Sequence, residues 1–267
     1  NLFDMRFDEW HDELLNPDYW DRIEQIPDYQ FWSVRKQLKE WLLQELHHRV
    51  VQQYRRNGES EATIARVTHL IAKPDADTLV IGFARRFATY KRATLLFSDP
   101  ARLARLLNDP ERPTVIVFAG KAHPSDAPGQ HLIKVIHEFS QRPEFQGRII
   151  VLEGYDIRLA RQLVSGVDLW LNTPEYPLEA SGTSGQKAAM NGVVNLSVLD
   201  GWWGEGFNGK NGWGIVPREP RLDIEQRNRD EAKDLLDLIE HEVLPLYFSR
   251  NGHGFSSGWV ALAKASM

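Results

Sequence analysis

Residues 179–187 read E-A-S-G-T-S-G-Q-K: a carboxylate and an amine flank a run of small residues containing two glycines. A Gly/Ser-rich turn ahead of a short helix exposes backbone N–H groups at the helix N-terminus, where the dipole favours an anion. Gly182, Thr183, Ser184 and Gly185 are therefore a candidate phosphate cradle, with Glu179 and Lys187 as the charges beside it. A plain surface turn with an exposed lysine competes with this reading, because short glycine motifs recur without function. A second cluster lies in residues 81–92, I-G-F-A-R-R-F-A-T-Y-K-R, with the cations Arg85, Arg86, Lys91 and Arg92. Arg86 offers a planar fork for two phosphate oxygens and Lys91 a point charge. They lie five positions apart, a spacing that a strand-to-helix turn can fold onto one anion. A solvated basic turn is the alternative here.

Such groups need a scaffold. Residues 78–84 form a short β-rich run, read as a buried parallel strand. A strand that ends in cations is where an open α/β sheet places a ligand. Further strands are expected at 114–119, 148–153, 167–172 and 193–199. Helical sequence separates them, running on through Leu107, over Gly129 to Gln141 and over Ile157 to Val164. Alternating strands and helices predict an α/β chain with a parallel sheet covered on both faces. Ahead of the sheet, residues 1–29 read as two short helices. Phe31 to Asn57 reads as one helix, with Leu38, Leu42, Leu46, Val50 and Tyr54 at four-residue intervals. His47 and His48 on it lack a carboxylate spaced for a metal site, and none is expected. Residues 200–213 read as a glycine-dense loop, Leu222 to Tyr247 as a charged amphipathic helix broken or kinked at Pro245, and the tail through Trp259 shows no pattern.

Composition narrows the function. A net charge of −5 suggests no nucleic-acid partner. The absence of cysteine excludes disulfides and thiolate metal sites, and fits a cytoplasmic protein. No apolar run reaches the length of a membrane span, so no membrane partner is expected. The missing G-x-G-x-x-G fingerprint argues against a nicotinamide enzyme. The chain begins with Asn and its first residues read like mid-protein sequence, as a cut-out or processed piece would.

The 179–187 stretch resembles the cofactor-lysine segment of the glycogen/α-glucan phosphorylases, E-A-S-G-T-x-x-x-K. Residues 86–92 are similar to that family's phosphate-binding segment, R-x-x-x-Y-K-R, and closest to its short bacterial and archaeal branch. Residues 199–203, L-D-G-W-W, follow at the family's position, so the matches run from Thr78 to Trp213. The resemblance implies a Rossmann-like lobe of the two-lobe GT-B fold. It also implies a reaction, phosphorolysis of α-1,4-glucan by inorganic phosphate to glucose 1-phosphate. The implied cofactor is pyridoxal 5′-phosphate (PLP) on Lys187, whose phosphate relays a proton. By the same resemblance, Gly182, Thr183, Ser184 and Gly185 hold the cofactor phosphate, and Arg86 and Lys91 the substrate phosphate. Glu179 bonds glucose hydroxyls, Ser181 and Gly182 touch the sugar through their backbone, and Tyr90 lines the pocket. Lys121 is structural or supporting. The expected division is a helical lead-in over 1–75 that packs on the lobe, the Rossmann-like PLP/phosphate-binding lobe over 76–220 and a C-terminal helical segment over 221–267. An N-terminal lobe would complete the sugar subsite, and the chain alone is expected to turn over little substrate.

Three positions depart from the family. Gln186 replaces an apolar residue, Asp156 stands where long-form enzymes carry an arginine, and Tyr176-Pro177 replaces a frequent basic pair. Trp202 and Trp203 suit packing first and sugar stacking second; His123 shows no partner. A sugar-nucleotide glycosyltransferase of the same two-lobe fold and a non-catalytic glucan-binding module remain as alternatives.

Overall fold

The computed structural model describes residues 2–73 and 77–267. The boundary expected at 75/76 lies outside the described residues, as does Asn1. In chain order the strands are β1 (Leu79–Ala84), β2 (Thr114–Ala119), β3 (Ile149–Leu152), β4 (Leu169–Asn172), β5 (Val194–Val198) and β6 (Gly212–Ile215). The α-helices are α1 (Leu2–Arg6), α2 (Pro17–Trp20), α3 (Asp28–Arg56), α4 (Glu61–Thr68), α5 (Pro100–Leu107) and α6 (Ala127–Gln141). They continue with α7 (Ile157–Gly166), α8 (Thr183–Ala189), α9 (Trp202–Gly206), α10 (Ile224–Leu238), α11 (Leu244–Phe248) and α12 (Ser257–Ser266).

The six strands form one sheet in the order β3-β2-β1-β4-β5-β6. Every pairing is parallel. Alternate residues of β1 serve two cores, as the strand period of two requires. Leu79, Ile81 and Phe83 face one cluster with α10, α11 and α12, while Val80 and Ala84 face the other with α3 and α7. The sheet is thus covered on both faces, as expected. The first cluster also takes in Phe7, Ile23 and Phe31 from the lead-in, so lead-in, sheet and C-terminal helices share one interior. No helix among the described residues is long and apolar enough to cross a membrane.

Several elements differ from the sequence reading, α4 and the short α9 among them. β6 takes the end of the stretch read as loop. Gly212, at φ +148°, lies so close to β5 that a Cβ would sit 2.5 Å from the Asn195 carbonyl oxygen, while Trp213 and Ile215 fill the core. The glycines here permit close backbone approach rather than a loop. Pro245 does not end its helix: α10, a wide turn at Ile239–Val243 and α11 follow without interruption, and Pro245 sits just past the wide turn. The tail forms α12, with Ser256 accepting a 3.1 Å bond from the Trp259 N–H as its cap.

A buried polar knot ties α3 to the sheet at the N-terminal ends of its strands. Asp168 Oδ2 accepts from the Val80 N–H at 2.9 Å and from Lys39 Nζ at 3.1 Å. Lys39 also donates to the Thr78 carbonyl at 3.0 Å and to the Tyr247 hydroxyl. Arg35 donates to the Asn191 carbonyl at 2.9 Å and to those of Ser165 and Val167. Burial pushes Lys39 down against the pull of Asp168, and it pushes the Tyr247 hydroxyl well up. Asp168→Ala would strand a buried ammonium and a buried N–H. The expected loss is about 3–5 kcal/mol, read from the urea midpoint; an unchanged midpoint would contradict the assigned role.

Candidate active site

The strand order reverses between β1 and β4, which pair only at Ile81↔Leu169 and Gly82↔Trp170. Beyond their carboxyl ends a doubly wound sheet leaves a crevice for ligands. Arg85 leaves β1 directly into it. Its N–H donates to the Ala119 carbonyl at 3.1 Å. Gly120, at φ +153°, packs against it so tightly that a Cβ would sit 2.0 Å from the Arg85 carbonyl oxygen. The Arg85 guanidinium donates to Asn172 Oδ1 at 2.8 Å and to Glu179 Oε2 at 2.7 Å. Lys91 Nζ donates to that same carboxylate oxygen. The three side chains are only 8–10% exposed, so this is an interior charge cluster rather than a surface pair. Burial pushes the Arg85 guanidinium down, and the charge of Glu179 opposes it.

Each member is held by its own element. Lys91 ends a 3₁₀ turn, Thr89–Lys91, and its ammonium lies 4.5 Å from the centre of the Tyr90 ring. The next residue, Arg92, takes a left-handed conformation and fastens the turn to the loop after β4. It donates to the carbonyls of Thr173 at 3.0 Å and Pro174 at 2.6 Å, to Asn228 at 2.8 Å and to the buried Glu231. Thr173 Oγ1 returns bonds of 3.1 Å to the carbonyls of Lys91 and Arg92. Glu179 hangs from the turn after β5: its N–H donates to Asp200 Oδ2 at 2.9 Å, and the Trp202 N–H donates to the Ser181 carbonyl at 2.8 Å.

Gly182, at φ +89°, opens α8. The Trp202 indole lies along the helix, and Cβ atoms built on Gly182 and Gly185 would meet it at 3.3 and 2.8 Å. The Gly185 position also faces Asn195 Oδ1 at 2.8 Å and Asn172 Nδ2 at 3.1 Å. Trp202 Nε1, Asn195 Oδ1 and Arg85 Nε are buried polar atoms with no hydrogen-bond partner among the described residues. Lys187 is exposed on α8, and its carbonyl accepts from Asn191 Nδ2 at 2.7 Å.

Of the residues named from sequence, Glu179 and Lys91 come together, with Ser181, Gly182, Thr183, Ser184 and Gly185 in the loop and first turn that follow. Arg86 does not join Lys91 on the carboxylate. It is exposed. Burial raises the Tyr90 pKa, but hydrogen bonds and charge from Lys91 and Arg86 outweigh it, and the net shift is downward. Arg85 is the arginine that reaches Glu179. Successive residues leaving a strand point to opposite sides, and that period is the signal that could have separated the two arginines. Asn172, Asn195 and Asp200 were not singled out. His123 bonds Ser125 Oγ at 2.6 Å within its own loop. A cavity of about 720 Å³ lined by Phe207, Trp213, Leu238 and Glu242 lies along β6 and shares none of these charges. Charge, not volume, marks the site.

The family profile described as carbohydrate phosphorylase matches residues 14–203. The chain belongs to that family. It is 43% identical over 97% of its length to a maltodextrin phosphorylase of Thermococcus litoralis. It is 44% identical over 98% of its length to a glycogen phosphorylase of Aquifex aeolicus. It spans 30% and 36% of those two relatives, about a third of their length. A solved structure of Anabaena HepE with UDP and glucose superposes with a TM-score of 0.50, at 18% identity, over 78% of this chain and 47% of that one. That likeness concerns the fold, a Rossmann-like α/β lobe of the GT-B kind.

The fixed path of Arg85 gives a test. Gly120→Ala would drive a methyl into the Arg85 backbone and is expected to cost about 2–4 kcal/mol in urea unfolding. Gly58→Ala, also at positive φ but with nothing within 4 Å, should cost about 1 kcal/mol. Equal costs would contradict the close packing.

Proposed function

We propose that this chain is the cofactor-carrying lobe of an α-1,4-glucan phosphorylase. The activity is transfer of a glucosyl unit from glucan to inorganic phosphate, giving glucose 1-phosphate with retained configuration. The observation that carries the reading is the pairing of Arg85 and Lys91 on Glu179 at the ends of β1 and β4, in a chain whose phosphorylase match covers these residues.

The residues suit PLP on structural grounds. Lys187 is an exposed primary amine on α8, and the first turn of that helix is lined by glycines where a Cβ would collide. Beside it lie one unpartnered acceptor, Asn195 Oδ1, and two unpartnered donors, Trp202 Nε1 and Arg85 Nε. When bound, PLP supplies a phosphate that shares a proton with the substrate phosphate. Lys187 holds the aldehyde end. The N–H groups of Thr183 and Ser184 and the Thr183 hydroxyl hold the cofactor phosphate; the Gly185 N–H, expected to join them, is already bonded to the Gly182 carbonyl at 3.0 Å. Arg85, Arg86 and Lys91 offset the charge of two neighbouring phosphoryl groups, which would otherwise repel strongly. The same cations favour the transition state, because they are fixed before charge develops. Glu179 accepts from sugar hydroxyls, Ser181 and Gly182 contact the sugar through the backbone, and Tyr90 forms a wall. The partners are α-1,4-glucan, inorganic phosphate and glucose 1-phosphate, acting in the cytoplasm. The N-terminal lobe of the same enzyme closes the other side of the sugar subsite.

Borohydride reduction after incubation with PLP, followed by peptide mass spectrometry, should find a pyridoxyl adduct on Lys187 and none in Lys187→Ala. Binding of UDP- or ADP-glucose with no adduct would favour a sugar-nucleotide transferase instead. The chain by itself, loaded with PLP, should release little or no glucose 1-phosphate from glucan and phosphate, since positioning across the cleft contributes several orders of magnitude. Ready turnover would contradict that reading.

A further inference from the structure

We infer that the Glu179 carboxylate is a built-in competitor for the anion site: a phosphoryl dianion and Glu179 contend for the same two cations, so anion entry must displace the Glu179 side chain. The inference rests on the reading above for the nature of the anion.

One oxygen, Glu179 Oε2, accepts from both Arg85 and Lys91. In place, it leaves the trio with one net positive charge; displaced, it leaves two. A dianion arriving while Glu179 stays would put two anions side by side in a setting only 8–10% exposed, where screening is weak. Displacement removes that repulsion and offers the newcomer both sets of donors.

The surroundings allow this exchange without moving the cations. Arg85 keeps its 2.8 Å bond to Asn172, and its main chain is pinned by Gly120. Lys91 stays over the Tyr90 ring, on a turn fastened by Arg92 and Thr173. The Glu179 backbone is anchored to Asp200, so only its side chain needs to rotate. Gly182 leaves room for that rotation: even a Cβ there would stand 3.7 Å from Glu179 Cγ. The displaced carboxylate is the one assigned to glucose hydroxyls, so anion binding and sugar recognition draw on one side chain.

The test is calorimetric binding of inorganic phosphate at fixed ionic strength, on the chain as it stands, with Glu179→Gln, Glu179→Ala and Glu179→Gln/Lys91→Met. Melting curves establish that each is folded, and the Gln variant retains an oxygen for Arg85. Glu179→Gln should bind phosphate about tenfold more tightly than the unaltered chain, and adding Lys91→Met should abolish the gain. Parallel titrations with PLP and with pyridoxal distinguish the sources: a gain for PLP but not for pyridoxal or inorganic phosphate assigns the dianion to the cofactor. A gain for inorganic phosphate assigns it to the substrate. Equal or weaker binding of both phosphate and PLP by Glu179→Gln overturns the inference, as does a gain that survives Lys91→Met. Failure of the functional reading looks different: no pyridoxyl adduct at Lys187, with the phosphate gain intact.

Discussion

Two cations from one segment of chain meet a single carboxylate oxygen from another at the point where the sheet reverses its strand order. Everything else in the lobe either brings those three side chains to that point or keeps water from them. Arg85 arrives because β1 ends there, Glu179 because the turn after β5 holds its backbone, and Lys91 because a tight turn brings it back over the strand end. Like charges so close together and so poorly solvated persist only with an opposite charge between them. Glu179 supplies that charge, and a phosphoryl group has the chemistry to replace it.

Two sets of buried polar contacts stiffen the frame. At the N-terminal ends of the strands, Arg35, Lys39 and Asp168 lock α3 and Tyr247 to β1 and β4. At the carboxyl ends, Arg92 and Glu231 connect α10 to the Lys91 turn and to the loop after β4. Neither set is expected to stabilise the fold more than apolar packing would. Their use is geometric: both fix where loops leave the sheet, and a charge cluster is only as well placed as the loops that carry it.

Much of this was legible in the sequence, and the exceptions have a common cause. Strands β1 to β5 showed because buried parallel strands carry nearly continuous apolar runs. β6, with the sequence Gly-Trp-Gly-Ile, has two glycines where neighbouring backbone and side chains leave no room, and so lacks any strand pattern. Glu179 and Lys91 were found because they lie within compact motifs. Asn172 was not, because its partner lies 87 residues away, and Asp200 was quoted only as part of the 199–203 motif, which does not show its bond to Glu179 21 residues away. One step of strand periodicity separates Arg85, which reaches Glu179, from the exposed Arg86. For the lead-in and the tail, periodicity shows that a face is apolar without showing which residues it meets.

The central claim is that one crevice gathers the Lys187 amine and the Arg85–Lys91 pair to host two phosphoryl groups. Phosphorus NMR of the PLP-loaded chain, titrated with inorganic phosphate, tests this most directly. The account predicts that the cofactor resonance shifts as phosphate binds and that Lys91→Met removes the shift. A cofactor resonance indifferent to saturating phosphate would contradict it.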